Sequence, residues 1–419
     1  MGTTTNRFRE SLRLLTTGRF GTFWFASLLS SIGTWAQQVA EPWLLLTLGA
    51  SPFLIGLDSF AMDAPVWMLT LAGGVLADRA DRRRVIAIFQ SIQMLCPTAI
   101  VILLFTHLIH PWMIIALSTV VGLTDALSMP SFQSIVPSIV PHEQVGRALA
   151  LNSTQFNLSR IIGPAIAGVL ISVIGITACF VVNAASYVPF IAVALWILPR
   201  WTLQTPRTEA PLHRPLVEGV REIVRQPHLR GALLTVFTTG LFCAPLVTFS
   251  PVLVQVVFHG GAARFSAALA AFGMGGLLGG AGLLGVPTDV DPRRLSSTFA
   301  LVLAALLVVT ALNPWSWGLP ALLFLAGASM TISNTAANTL VQSTAVPHLL
   351  GRTVSLYMLA IRGGGALGAL LTGVTVSRLG VQHALLLNGV VAAAAHAGLA
   401  RNWLRSPLPN PDAIQPPAA

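Results

Sequence analysis

Apolar runs of roughly twenty residues, parted by short polar segments, dominate the sequence. A helix needs about 20 mostly apolar residues to cross hydrocarbon. The pattern predicts twelve such spans, at 20–49, 53–77, 85–107, 111–135, 147–173, 176–199, 232–258, 263–286, 295–312, 316–342, 352–376 and 381–402. Proline and glycine interrupt several of them, which membrane helices tolerate. The long polar connection 200–231 divides an N-terminal six-helix bundle (20–199) from a C-terminal one (232–402). Within it Leu216, Val220, Ile223 and Val224 recur at helical spacing, predicting a short amphipathic helix on the membrane surface. Residues 1–19 are expected to be an uncleaved cytoplasmic tail, and the proline-rich 403–419 a disordered one.

Polar residues inside the spans are patterned too. Ser27, Ser30, Thr34, Gln37 and Glu41, with Gln38 alongside, follow steps of three and four and form one stripe on span one. Span four aligns Ser118, Asp125 and Ser128. Span seven aligns Thr235, Thr239, Cys243 and Ser250, and span ten aligns Thr331, Thr335, Asn338 and Gln342. Such stripes either hydrogen-bond neighbouring helices or line a water-filled path. Glycines crowd spans five, eight and eleven, where small residues let backbones approach.

Composition turns this pattern into a class. Charged residues make up 9% of the chain and hydrophobic ones 54%, whereas an ordinary soluble domain is about 25% charged. This is an integral membrane protein. The formal net charge of +10 comes from 24 basic residues, all arginine, set in short clusters between apolar runs. No basic face or aromatic platform accompanies them, which excludes a nucleic-acid partner. With the N-terminus inside, 20 of the 24 arginines fall on the cytoplasmic side, as the positive-inside rule requires, and both termini are cytoplasmic. Cys96, Cys179 and Cys243 each lie within an apolar run and read as packing residues. No phosphate-binding loop, metal-ligand spacing or catalytic constellation is present, so neither enzyme activity nor a cofactor is expected.

The two halves echo each other. "VPHEQVGRALAL" from Val140 and "VPHLLGRTVSL" from Val346 place Gly146-Arg147 and Gly351-Arg352 at an offset of 205, and Gly163 and Gly168 match Gly368 and Gly373 at the same offset. "GGVLADRADRRR" from Gly73 has a degraded partner in "GVPTDVDPRRLSS" from Gly285. A parallel repeat of two six-helix halves is one transporter architecture. These stretches resemble the major facilitator superfamily. "GVLADRADRRR" is similar to its loop 2–3 signature, with Asp81 in place of the usual second glycine. "RIIGPAIAG", holding Arg160, Gly163, Pro164 and Gly168, resembles the span-five signature of drug:proton antiporters, and Ser128–Ile171 resembles the enterobactin exporter and macrolide efflux branch.

The resemblance implies that spans 1, 4, 7 and 10 line a central cavity and that spans 2, 5, 8 and 11 meet between the halves. Thr34, Gln37, Gln38, Thr239, Asn338 and Gln342 are then expected to line the path. Gly74, Asp78, Arg79, Arg82 and Arg83 are expected to form a cytoplasmic gate, with Asp78 as its latch against the N-terminus of span eleven. Charges inside a bilayer cost about 2.5–3.5 kcal/mol each on insertion scales, so Asp125, Glu41 and Asp63 are proton-coupling candidates, in that order. Arg160 and Arg362 are expected to be static partners for an acid. The whole predicts a monomeric, proton-coupled exporter of a small amphipathic molecule, drug- or siderophore-like, in the bacterial cytoplasmic membrane and in contact with its lipid. An importer on the same fold and a non-transporting membrane sensor are the alternatives.

Overall fold

The computed structural model describes residues 14–16, 18–198, 225–283, 285–287, 290–344 and 350–405. The amphipathic segment of the central connection, Asp289 and most of both tails lie outside the described residues, as do the side chains of Gly74, Asp78 and Arg79.

Helices account for nearly all of what is described. They are α1 (Phe20–Thr47), α2 (Pro52–Arg79), α3 (Arg82–Phe105), α4 (Pro111–Ile135), α5 (Val145–Val173) and α6 (Thr177–Trp196). After the central connection come α7 (Pro227–Val257), α8 (Ala262–Leu283), α9 (Pro292–Leu312), α10 (Leu319–Thr344), α11 (Leu350–Leu379) and α12 (Val381–Arg405). Among the described residues, ten helices are long and apolar enough to cross a membrane. The others, α1 and α2, are each 28 residues long; α1 carries the polar stripe and α2 carries Asp58 and Asp63. Large apolar side chains such as Phe105, Trp112, Val173 and Trp196 are exposed along the helices, as lipid contact requires.

Local chemistry sets the helix ends. Gly49, Gly175 and Gly380 follow α1, α5 and α11 with φ of 76°, 113° and 79°, a left-handed conformation in which a Cβ is strained. Asp81 and Asp291 cap α3 and α9 by accepting from the backbone N–H of Arg83 and Arg293. Helix α7 is irregular. It loosens into π-helical turns at Thr239–Cys243 and Leu253–Val257, with Pro245 and Pro251 between them.

The described residues form two compact units. The first takes the chain up to Ala50, the stretch from Ala61 through α6, and Gly261–Ala270. The second takes Ser51–Phe60, α7 to Gly260 and everything from Ala271 onward. In the first unit α1 packs on α5 and α6, and α3 on α4 and α6. Phe23, Phe132 and Phe190 meet there with ring centroids 5.5–5.8 Å apart, and Trp24 Nε1 donates to the Leu151 carbonyl at 2.8 Å. In the second unit α9 packs on α10 and α12, and α7 on α10, α11 and α12. Leu229, Val236, Leu340, Tyr357 and Trp403 form its core, and Tyr357 Oη donates to the Asn334 carbonyl at 2.6 Å.

Of the glycines that the resemblance assigned to a seam between halves, Gly168 of α5 meets Ser266 of α8 and Gly373 of α11 meets Pro52 and Phe53 of α2, as expected, whereas Gly163, Gly275 and Gly368 meet helices of their own half. A Cβ on Gly163 would lie 2.4 Å from Trp35 Cβ on α1. One on Gly368 would meet the Leu241 carbonyl of α7, and one on Gly275 the Phe324 carbonyl of α10. Small residues here allow backbone-to-backbone packing within a unit. Sequence spacing marks such a face without naming the helix that occupies it. Because carbonyl oxygen cannot swing aside, Gly275→Ala is expected to lower stability by about 1–3 kcal/mol. Gly282→Ala on the same helix, with nothing within 4 Å, should be neutral or stabilising by up to about 1 kcal/mol. Thermal unfolding of both variants in detergent checks the contrast.

Candidate functional site

The polar stripe of α1 turns into the first unit. Glu41 is buried, and both its carboxylate oxygens are held: Ser118 Oγ of α4 donates to Oε1 at 2.5 Å, and Gln37 Nε2, one turn earlier on α1, donates to Oε2 at 3.4 Å. The chain of donors continues outward, because Asn183 Nδ2 of α6 donates to Gln37 Oε1 at 2.7 Å. Thr34 Oγ1 lies 3.4 Å from Tyr187 Oη, also on α6. Further along the stripe Ser27 donates to Gln155 Oε1 of α5, whose amide donates to Ser31 Oγ. Three neighbouring helices therefore satisfy α1, which favours the interhelical hydrogen-bond role for most of the stripe.

Around Glu41 the packing leaves a gap. Thr34, Gln37, Gln38, Glu41, Gln93, Ser118, Asn183 and Tyr187 supply its polar wall, and Met62, Cys96, Pro97, Ile100, Leu117 and Val121 its apolar one. The space open to the centre of a water molecule is about 20 Å³, enough for one ordered water with several polar partners. A carboxylate withdrawn from water loses several kcal/mol even after relaxation, and each hydrogen bond to a charged group returns about 1.5–3 kcal/mol. Two such bonds return about 3–6 kcal/mol, a sum comparable with that loss.

The other candidates are not among the residues that line this cavity. Asp125, Asp63, Arg160 and Arg362 are each half-buried and each engaged in interactions of their own. Asp125 lies within electrostatic reach of Tyr187. The Arg160 guanidinium stands 5.4 Å from the Trp35 ring centroid, a cation–π arrangement that joins α5 to α1 one turn from Gly163. Asp58 is buried near the start of α2. Thr239 is buried against α12, while Asn338 and Gln342 hydrogen-bond each other on α10, Gln342 being exposed. Spacing along the chain marked α1 as polar. It could not mark Ser118 and Asn183 as the groups that hold Glu41 and Gln37, since the register between helices is not written in either helix alone.

The fold has solved counterparts. A bacterial homologue of the human lysosomal transporter Spinster, in its inward-facing unoccupied form, superposes with a TM-score of 0.67 over 94% of this chain and 98% of its own, at 16% identity. The nucleoside transporter NupG gives 0.70 over 93% and 100%, at 13% identity. These likenesses concern the fold. In sequence, residues 10–416 match the MFS family of transmembrane secretion effectors. The chain belongs to that family. It is a major facilitator superfamily transporter and a multi-pass membrane protein, not an enzyme. Among its relatives are the macrolide efflux protein A of Streptococcus pyogenes, 25% identical over 89% of this chain and 93% of that one, and the multidrug efflux pump Tap of Mycolicibacterium fortuitum, 27% identical over 88% and 93%. The staphyloferrin A transporter of Staphylococcus aureus is 27% identical over 61% of this chain and 64% of that protein.

Within this transporter the charged loop signature has a structural job that its arginines perform twice. Arg83, whose backbone N–H is capped by Asp81, also donates from Nη1 to the Leu195 carbonyl at 2.8 Å, in the last turn of α6. In the second unit Arg293 pairs with Asp291 at 2.8 Å and donates to the Trp403 carbonyl at 3.3 Å, in the last turn of α12. An arginine on the carbonyl end of a helix also complements its dipole. The aspartate that replaces the signature glycine is therefore a cap and an anchor for this arginine. Arg82 is half-buried and interacts elsewhere.

The Asp291 anchor titrates. Burial alone would push its carboxyl up, but the hydrogen bonds and charge of Arg293 outweigh it and hold the group below its ordinary value. Its contribution to stability is then complete above the unfolded-state value of about 3.9 and is lost as pH falls through the lower folded-state value. Asp291→Asn should be less stable than the parent at neutral pH, with the gap closing in acid. Melting curves in detergent at a series of pH values would show it, and a constant gap would refute it.

Proposed function

We propose that this transporter is a proton-coupled exporter of small amphipathic molecules, cationic or neutral, with Glu41 as the group on which proton and substrate exchange. The supporting observation is the buried Glu41 carboxylate, held by Ser118 and Gln37 beside a water-sized polar cavity. Export is supported by relatives named for macrolide and multidrug efflux. In this reading the chain crosses the bacterial cytoplasmic membrane twelve times in two six-helix halves with both termini inside, and the halves rock to give alternating access. A proton arriving from outside neutralises Glu41 and releases the substrate. Inside, the proton leaves and the carboxylate accepts the next cation or hydrogen-bonding group. The sequence lacks a nucleotide-binding loop, so the ion gradient supplies the energy.

Asp125 ranks behind Glu41 because it lies outside the cavity wall, and its role is then to bias the field around Tyr187. Asp63 and Asp78 remain with α2, Asp78 as the proposed cytoplasmic latch. The test is uptake of ethidium and of a macrolide into everted vesicles under an imposed pH gradient. Glu41→Gln is expected to abolish gradient-driven uptake, by at least about 100-fold, the scale of a coupling worth about 2.7 kcal/mol. Asp125→Asn should slow it by less. Gradient-driven uptake by Glu41→Gln at the parental rate would remove Glu41 from the mechanism.

A further inference from the structure

The second unit contains a buried histidine that the account so far leaves unused. His396, in the middle of α12, is 1% exposed. Its Nε2 lies 3.4 Å from Thr239 Oγ1, and its Nδ1 is buried with no hydrogen-bond partner among the described residues. A neutral imidazole carries one donor and one acceptor. Whichever tautomer is present, one ring nitrogen of His396 is left unsatisfied in this conformation. Buried polar groups usually have a partner in the protein or in ordered water, and one without a partner calls for an explanation.

Its setting matches that of the Glu41 site in the first unit. Thr34 and Thr239 are equivalent in the repeat, 205 residues apart, and each contacts the last helix of its own half. Thr34 contacts Tyr187, which borders the Glu41 cavity, and Thr239 contacts His396, one helical turn beyond the strict repeat position. Thr239 also opens the π-helical turn Thr239–Cys243 of α7, a kind of irregularity frequent at functional sites. In this turn the α-helical ladder gives way to an i→i+5 bond, from the Ala244 N–H to the Thr239 carbonyl at 3.0 Å.

We propose that His396 is a second proton-binding residue of the transport cycle, protonated when the Thr239 turn of α7 withdraws and water reaches the ring. The proposal rests on the proton-antiport reading, to which it adds a second site in the C-terminal half. An imidazolium needs solvent or counter-charge, and the packed site supplies neither. Of the helices packed on α12, α7 carries Cys243 in the contacting turn and His228 and Arg230 at its start. Helix α9 carries Arg293 and Arg294 at its start, and α11 carries Arg352, Tyr357, Arg362 and Arg378. On α12 itself the other titratable or charged residues are His383, Arg401 and Arg405. None of these is an acid, and the acid at the cap of α9, Asp291, is held by Arg293 beside Trp403, two turns along α12 from the ring, so hydration and protonation of the ring must occur together. Opening of α7 would thereby become pH-dependent.

The experiment is deuterium exchange at the imidazole C2 carbon, read by mass spectrometry on the purified wild-type protein in lipid nanodiscs between about pH 5 and 8, the window in which histidine ordinarily changes charge. This exchange proceeds through the imidazolium, and His383, exposed near the start of α12, serves as internal reference. His396 is expected to exchange within about 100-fold of His383 with an inflection inside the window, reporting openings of modest free energy, and Thr239→Val should speed it. Exchange that stays flat and slower than this at every pH would overturn the proposal. The two readings fail separately. A His396 that does not exchange, in a protein whose uptake still depends on Glu41, sinks the second site alone. A His396 that titrates in a protein indifferent to the pH gradient sinks the antiport reading and with it any coupling role for the histidine.

Discussion

A carboxyl group placed inside a stack of apolar helices must find its hydrogen-bond donors in the protein, because the surrounding lipid offers none. Much of the first unit can be understood as meeting that demand for Glu41. Helix α4 brings Ser118, α1 brings Gln37, and α6 steadies Gln37 through Asn183. Close packing makes these contacts possible. A Cβ on Gly33 would run into Ser186 and Asn183 of α6, and one on Gly122 would strike the Met62 carbonyl of α2. The glycines and the polar cluster are therefore parts of one arrangement. Bulk at either position would push apart the helices that supply the donors.

Beside that arrangement lies a small unfilled space. Donors to both oxygens orient the carboxylate and return an energy comparable with its lost hydration, and the gap beside it has room for about one water. A site fully satisfied by protein would have no reason to bind anything. A wide aqueous one would leave the carboxylate hydrated and indifferent. The exchange proposed at Glu41 relies on a geometry between these limits.

The sequence made the outline of this legible and left its contents hidden. The steps of three and four on α1 mark its polar face correctly, since Ser27, Ser30, Gln37 and Glu41 are all buried. Long apolar runs place the helices within a few residues, although α7 begins at Pro227 rather than 232. What could not be read is which faces meet. Asp125, at the middle of α4, ranked first by position along the chain, yet it is Ser118, two turns earlier, that reaches Glu41. The glycines of α5, α8 and α11 announce close contacts, and Gly168 and Gly373 meet α8 and α2 as the resemblance implied, but the partners of Gly163, Gly275 and Gly368, which are Trp35, Phe324 and Leu241, could not be read from spacing. The π-helical turns of α7 are not read from the sequence, although Pro245 and Pro251, which have no N–H to donate, stand between them. The repeat was legible in its arginines, and the structure gives those arginines a shared task. In each unit one arginine ties the start of one helix to the carbonyl end of another, Arg83 to Leu195 and Arg293 to Trp403.

The claim at the centre of this account is that the Glu41 carboxyl gains and loses a proton during transport. Infrared difference spectroscopy of the protein in lipid films, recorded as the pH is stepped, reads this directly through the carbonyl stretch of a protonated carboxyl group. The account predicts a band that disappears as the pH is raised, disappears also at fixed pH when saturating ethidium is added, and is missing from Glu41→Gln. A spectrum identical in wild type and Glu41→Gln, or a Glu41 band indifferent to both pH and ethidium, would contradict it.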